Sequence, residues 1–191
     1  VMGLDDEGSY LNNRFDLQLN GQGHFLLTND GTEIFLQSRK SHLIFKCSVI
    51  GELSFAKYDT INTNWLPSGI TYHSASDSIL TLYRNQNQNS QYRLRLISKD
   101  VSGSSHKDIL FEMGDIDTTY YGIYGLSEHN NSLFMLAVKD GEDALITMDY
   151  NTLEIQSTEM VGDSTVVGIA VLNDALYLSF RDRRIEKFKD L

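Results

Sequence analysis

The chain is poor in the residues that staple or interrupt a fold. Its 191 residues include one cysteine, Cys47, one proline, Pro67, and one tryptophan, Trp65. A single thiol excludes an intrachain disulfide. Cys47 lies in the apolar-alternating run His42 to Val49, where a packed side chain is its expected role. Positive charge is scarce too. Against 26 acidic residues stand 16 Lys and Arg, a formal net charge of -10, so the overall field repels nucleic acid and anionic membrane. The longest apolar runs, such as Ser132 to Val138, fall far short of the roughly 20 residues a membrane-spanning helix needs, and no membrane span is expected. The stretch Val1 to Ser9 lacks the basic start and apolar core of a signal peptide. Cysteine usage leaves the compartment open between cytoplasm and a periplasmic or secreted location. The triplet Asn130-Asn131-Ser132 would matter only in a secreted eukaryotic protein.

What is present is strand grammar. Short runs rich in Ile, Leu, Phe, Tyr and Val alternate with Asn, Asp, Gly and Ser clusters every eight to twelve residues or so. No window keeps a capped apolar stripe of helical period, so little or no helix is expected. At 41% hydrophobic and 22% charged, the composition is that of one folded domain able to bury a core.

A repeat runs through this pattern. Gly69-Ile70-Thr71-Tyr72, then Asp77 and Ser78 to Tyr83, recurs as Gly125-Leu126-Ser127-Glu128, then Asn131 and Ser132 to Leu136. It recurs again as Gly168-Ile169-Ala170-Val171, then Asp174 and Ala175 to Phe180. Each copy reads as a glycine-opened strand, a polar turn and a second apolar strand, which is a hairpin. Further strands follow at Tyr92 to Ser98, Ala144 to Tyr150 and Arg184 to Phe188, with outer ones at Asp108 to Met113 and Glu154 to Met160. A degenerate earlier copy spans His24 to Thr28, Glu33 to Ser38, His42 to Val49 and Leu53 to Tyr58. The repeat glycines are spaced by 56 and 43 residues, which bracket the length of a four-stranded propeller blade.

In this rhythm the chain resembles β-propeller proteins as a class, over nearly its whole length. The resemblance implies an all-β fold, a small propeller of about four four-stranded antiparallel blades in one domain over 1–191. The units are about 21–59, 69–115, 121–162 and 166–190, and the strand Arg14 to Leu19 closes the ring as the missing outer strand of the last unit. No specific family is identified. The Trp-Asp, Tyr-Trp-Thr-Asp and Ser-x-Asp-x-Gly-x-Thr-Trp signatures of named propeller classes are absent. A larger parent ring and a sandwich are the structural alternatives.

Candidate binding residues follow from strand direction. Loops joining second to third strands emerge on the same face as loops joining one blade to the next. The second strands end at Arg39, Arg84, Lys139 and Arg181, a basic residue per unit in an acidic chain. Together with Trp65 and Tyr121 of the blade-joining segments, they form the expected ligand-binding set, suited to an anion or to an aromatic contact. Solvated strand ends, and aromatics plugging gaps between blades, are the plainer alternatives. His73 and His129 hold matched places in their units and read as surface histidines rather than a zinc pair. The acidic clusters Asp5-Asp6-Glu7, Asp115 with Asp117, and Asp140 to Asp143 lack EF-hand spacing, and Asp140 to Asp143 reads as a turn. Gly21-Gln22-Gly23 lacks the rest of a dinucleotide fingerprint. Ser104, Ser105 and His106 read as a flexible connector without a nucleophile elbow. No catalytic residue, metal or cofactor is expected.

The functional expectation is a non-catalytic binding or scaffolding domain, taking a protein partner or an anionic small molecule or glycan, and not nucleic acid. A hydrolase or lyase acting on a sugar or lactone through Asp115 or Asp117 is the alternative. A fragment of a larger propeller is a second alternative.

Overall fold

A computed structural model describes residues 25–30, 32–38, 44–48, 53–56, 64–88, 90–98, 105–114, 123–162 and 165–191. They form four antiparallel sheets, each built from strands consecutive in sequence. The first holds β1 (Phe25–Asn29), β2 (Glu33–Ser38), β3 (Ile44–Ser48) and β4 (Leu53–Ala56). The second holds β5 (Trp65–His73), β6 (Ser78–Asn85), β7 (Gln91–Ser98) and β8 (Ser105–Glu112). The third holds β9 (Ile123–His129), β10 (Ser132–Lys139), β11 (Glu142–Asp149) and β12 (Ile155–Gly162). The last has three strands among the described residues, β13 (Val166–Leu172), β14 (Ala175–Phe180) and β15 (Ile185–Asp190). The helical content of the described residues is a single 3-10 turn, Ser74–Ser76. The fold is a small all-β propeller.

Turn chemistry sets the hairpins. Asn130-Asn131, Asp140-Gly141 and Asn173-Asp174 are two-residue turns with positive φ at both positions. This is the primed turn whose twist matches paired strands, and Asn, Asp and Gly reach it at least cost. Asp140 and Gly141 thus form the turn expected from the sequence.

The inner strands β1, β5, β9 and β13 pack against their neighbours in chain order. Their close approach explains the repeat glycine. A Cβ on Gly69 would lie 2.6 Å from Leu126 Cβ, and one on Gly125 would lie 3.1 Å from Ile169 Cγ2. The residue before each glycine, Ser68, Tyr124 and Val167, is an extra residue that shifts the register against the second strand. Bulge and glycine together bend each inner strand inward where side chains would collide. Pro67 sits beside the first of these bulges, where a strand tolerates its missing N–H.

Alternation along the strands sends side chains to two neighbours at once. Leu80, Leu82, Leu94 and Leu96 of the second sheet meet Leu126, Leu133, Met135, Ile146 and Met148 of the third. Phe134, Leu136 and Leu145 meet Leu176, Leu178 and Phe180 of the last sheet. Phe35 and Ile44 meet Ile70, Ile79 and Ile97. The core is therefore three slabs between sheets.

Several boundaries differ from the sequence expectation. Trp65 and Pro67 belong to β5 rather than to a blade-joining loop, and Arg84 lies within β6. Ser105 and His106 open β8 instead of forming a connector. Each extension follows from pairing with a neighbouring strand, which local composition does not report. The segment Arg14 to Leu19 lies outside the described residues.

Candidate functional site

The four inner strands run toward one set of hairpin turns, and there residues from all four line a cavity of about 880 Å³. Four tiers can be traced along the strands. Ile70, Leu126 and Ile169 stand three residues before the strand ends, so at strand rise they lie about 10 Å in from the mouth. Thr71, Ser127 and Ala170 form the next tier, and Tyr72, Glu128 and Val171 the one after. The rim carries His129, Leu172, Ser74, Asn130, Asn173 and Asp174, and Thr28 of the first sheet completes the wall. The result is a funnel with an apolar floor and a polar mouth. Its volume is in the range of about 300–1,000 Å³ typical of small-ligand sites.

Contacts between blades shape the mouth. His129 Nε2 lies 3.1 Å from Asp174 Oδ1 of the next hairpin and 2.8 Å from the Asn130 side-chain amide. The Asn131 N–H donates to Glu128 Oε1 at 3.3 Å. Tyr72 donates its phenol proton to Asp77 at 2.6 Å. Among the described residues no lysine or arginine lines the cavity.

The two matched histidines take different roles. His73, expected at the surface, is only 4% exposed, because the turn between β11 and β12 covers it. Its ring lies 4.8 Å from that of Tyr150, and its Nδ1 is 2.8 Å from Ser76 Oγ. Its Nε2 has no hydrogen-bond partner. Lys107 Nζ sits 3.9 Å from the opposite Tyr150 ring centroid, and burial pulls that amine below its ordinary pKa. Burial, and after it the charge of Glu128, push the Tyr150 phenol up. His129 instead stays half-exposed at the rim. Among the described residues no cluster of three His, Cys, Asp or Glu could hold a metal ion.

The expected binding set lies at the other end of the strands. Arg84 pairs with Tyr92 near the start of β7 and Lys139 with Glu142 at the start of β11, whereas Arg181 lies in the turn just beyond β14. Arg84 and Lys139 are half-exposed and Arg181 fully so, and none of the three has a carboxylate within salt-bridge distance among the described residues. Trp65 is 8% exposed, packed on Tyr83 with the Arg93 guanidinium 4.8 Å above its ring. The ring is thus covered from within its own sheet and is not an open stacking platform. Arg39, Tyr121, Asp115 and Asp117 lie outside the described residues. Sequence reasoning did not single out the funnel. Its one visible trace was the repeated position of His73 and His129 at the ends of inner strands.

No family model matches the sequence, and no curated protein matches it. Solved structures do. Myxococcus xanthus glutaminyl cyclase is similar with a TM-score of 0.57 at 12% identity, over 87% of this chain and 75% of that one. Streptogramin B lyase is similar with a TM-score of 0.53 at 17% identity, over 100% of this chain and 61% of that one. A chain of the nidogen/laminin complex gives 0.55 at 11% identity, over 83% of this chain and 72% of that one. These neighbours include two proteins named as enzymes and one solved with a protein partner. At such identities they establish the β-propeller fold and nothing finer.

Proposed function

We propose that this propeller is a non-catalytic binding domain that receives its ligand in the funnel ringed by the inner strands. The observation that carries this reading is the convergence of strands from all four sheets on one cavity of about 880 Å³. Binding is favoured over nucleophilic catalysis because His129, the imidazole of the rim, is engaged by Asp174 and Asn130 rather than by a serine or threonine hydroxyl. A second reading keeps the opposite face. Arg84, Lys139 and Arg181 are cations without an ion-pair partner among the described residues, an arrangement suited to an anionic small molecule or glycan.

Binding to a panel of immobilised peptides and of neutral and sulfated oligosaccharides separates the two. Ala170 is exposed on the funnel wall, so Ala170→Trp should obstruct the funnel without disturbing a core. Loss of binding in that variant, with retention in the Arg84→Ser/Lys139→Ser/Arg181→Ser triple variant, is the expected result. The reverse pattern would move the site to the basic face. Turnover of any probe would overturn the non-catalytic reading.

A further inference from the structure

The lining of the funnel specifies more than its existence. Resting on the binding reading above, we propose that the funnel takes a peptide segment in which an apolar side chain is flanked by lysine or arginine. The apolar side chain would enter toward Ile70, Leu126 and Ile169, a floor that offers no charge and only aliphatic surface. The flanking cations would remain at the mouth beside Glu128 and Asp174, the two carboxylates of the lining.

Three observations point this way. Among the described residues every formal charge of the lining other than histidine is negative, so an anionic ligand would meet repulsion from Glu128 and Asp174. Glu128 accepts only a backbone N–H at 3.3 Å and has no cationic side chain within salt-bridge distance among the described residues. Between floor and mouth stand Thr71 and Ser127, and the rim adds Ser74 and the Asn130 and Asn173 amides, donors and acceptors of the kind a peptide backbone needs. A neutral sugar would satisfy this middle tier but would leave the apolar floor and both carboxylates without a match.

The test is fluorescence anisotropy on the full chain with labelled Gly-Lys-Leu-Lys-Gly, Gly-Glu-Leu-Glu-Gly and Gly-Lys-Ser-Lys-Gly, with maltotriose as competitor. The basic, leucine-bearing peptide should bind at least about tenfold more tightly than either of the others, and its affinity should fall with added salt. Glu128→Gln combined with Asp174→Asn should weaken it about tenfold and flatten the salt dependence, while circular dichroism reports an unchanged fold. Equal binding of all three peptides, abolished by Ala170→Trp, would overturn this inference and leave the funnel as the binding site. Peptide binding that Ala170→Trp does not touch would overturn the funnel reading itself. Absence of binding by all three peptides, or displacement by maltotriose alone, would overturn the peptide proposal.

Discussion

Two of the slabs between sheets are built on different principles. Between the second and third sheets the contact is mainly aliphatic, with Leu80, Leu82, Leu94, Leu96, Leu133 and Met135 interleaved and Tyr92 and Tyr150 completing it. Between the first and second sheets apolar residues share the space with polar ones. The Gln37 amide donates to Tyr83 Oη at 2.9 Å, while Gln37 Oε1 has no partner among the described residues although the side chain is fully buried. Thr81 Oγ1 donates to the Arg95 carbonyl at 3.4 Å, and Arg95 itself is nearly buried with its Nε 3.3 Å from Asp108. Apolar burial stabilises roughly in proportion to area at any geometry. A buried amide contributes only where all its atoms are met, and costs where one is not. The aliphatic slab therefore supplies stability, and the polar slab restricts which faces fit together.

The largest effect is expected at the open edge of the last sheet, where Ile185 is 73% exposed and β15 pairs only with β14 among the described residues. We propose that Arg14 to Leu19 pairs with β15 and closes the ring. Deleting residues 1–19 should then lower amide-exchange protection across Ile185 to Asp190 by about a hundredfold or more. Unchanged protection there would turn the search toward a larger parent ring.

Next in size is Leu82→Ala in the aliphatic slab. Leu82 is fully buried, and its truncation should cost about 3 kcal/mol in urea unfolding, from lost transfer energy plus a cavity. A cost under about 1 kcal/mol would mean that this slab collapses more freely than its packing implies.

Asp143 offers a polar contact in which both carboxylate oxygens are used. Oδ1 accepts the Tyr124 hydroxyl at 2.9 Å and Oδ2 accepts the Val166 N–H at 2.8 Å, so one residue of the third sheet holds the start of the last. Asp143→Ala should cost about 2 kcal/mol by removing the carboxylate that both donors bond. Burial, then the bond to Asp143 and its charge, push the Tyr124 phenol well above the ordinary 10.0. The sign follows: the folded state retains this proton where the unfolded chain releases it. The stabilisation is complete below pH 10 and declines as pH rises from there toward the folded value. Tyr124→Phe should accordingly unfold less steeply with pH above 10 than the parent.

The smallest effect should come from the polar slab. Replacing both partners, Gln37→Leu with Tyr83→Phe, should change stability by less than about 0.5 kcal/mol, because the unmet Gln37 oxygen is removed along with the bond. Gln37→Ala alone should be clearly destabilising. If the double variant costs as much as Leu82→Ala, the distinction between the slabs fails.

How much of this was legible depends on the range of the interaction. The second strand of the first unit, Glu33–Ser38, has the boundaries that its alternation suggested, and turns such as Asp140-Gly141 were readable from two adjacent residues. The repeat glycines were visible as a pattern, but their cause, a neighbouring strand 2.6 Å from where a Cβ would stand on Gly69, is a contact 57 residues away in sequence between Gly69 and Leu126. Trp65 looked like a loop aromatic because its run contains proline, yet pairing with Asn85 places it in a strand and Tyr83 and Arg93 cover it. The candidate site was least legible. The basic strand ends are conspicuous in an acidic chain, whereas the funnel is assembled from ordinary Thr, Ser, Asn and Ile residues.

By itself, the sequence determined the strands, their turns, the repeat and hence the all-β propeller, because period-two alternation and left-handed turn conformations are local properties of the chain. Only the tertiary structure decided that His73 is sealed beneath Tyr150 while His129 faces Asp174 at an open rim. It also decided that the cavity opens at the hairpin turns, away from Arg84, Lys139 and Arg181. The physical reason is that burial and encounter depend on which sheet lies across the gap, and two residues at the same place in a repeat meet different neighbours.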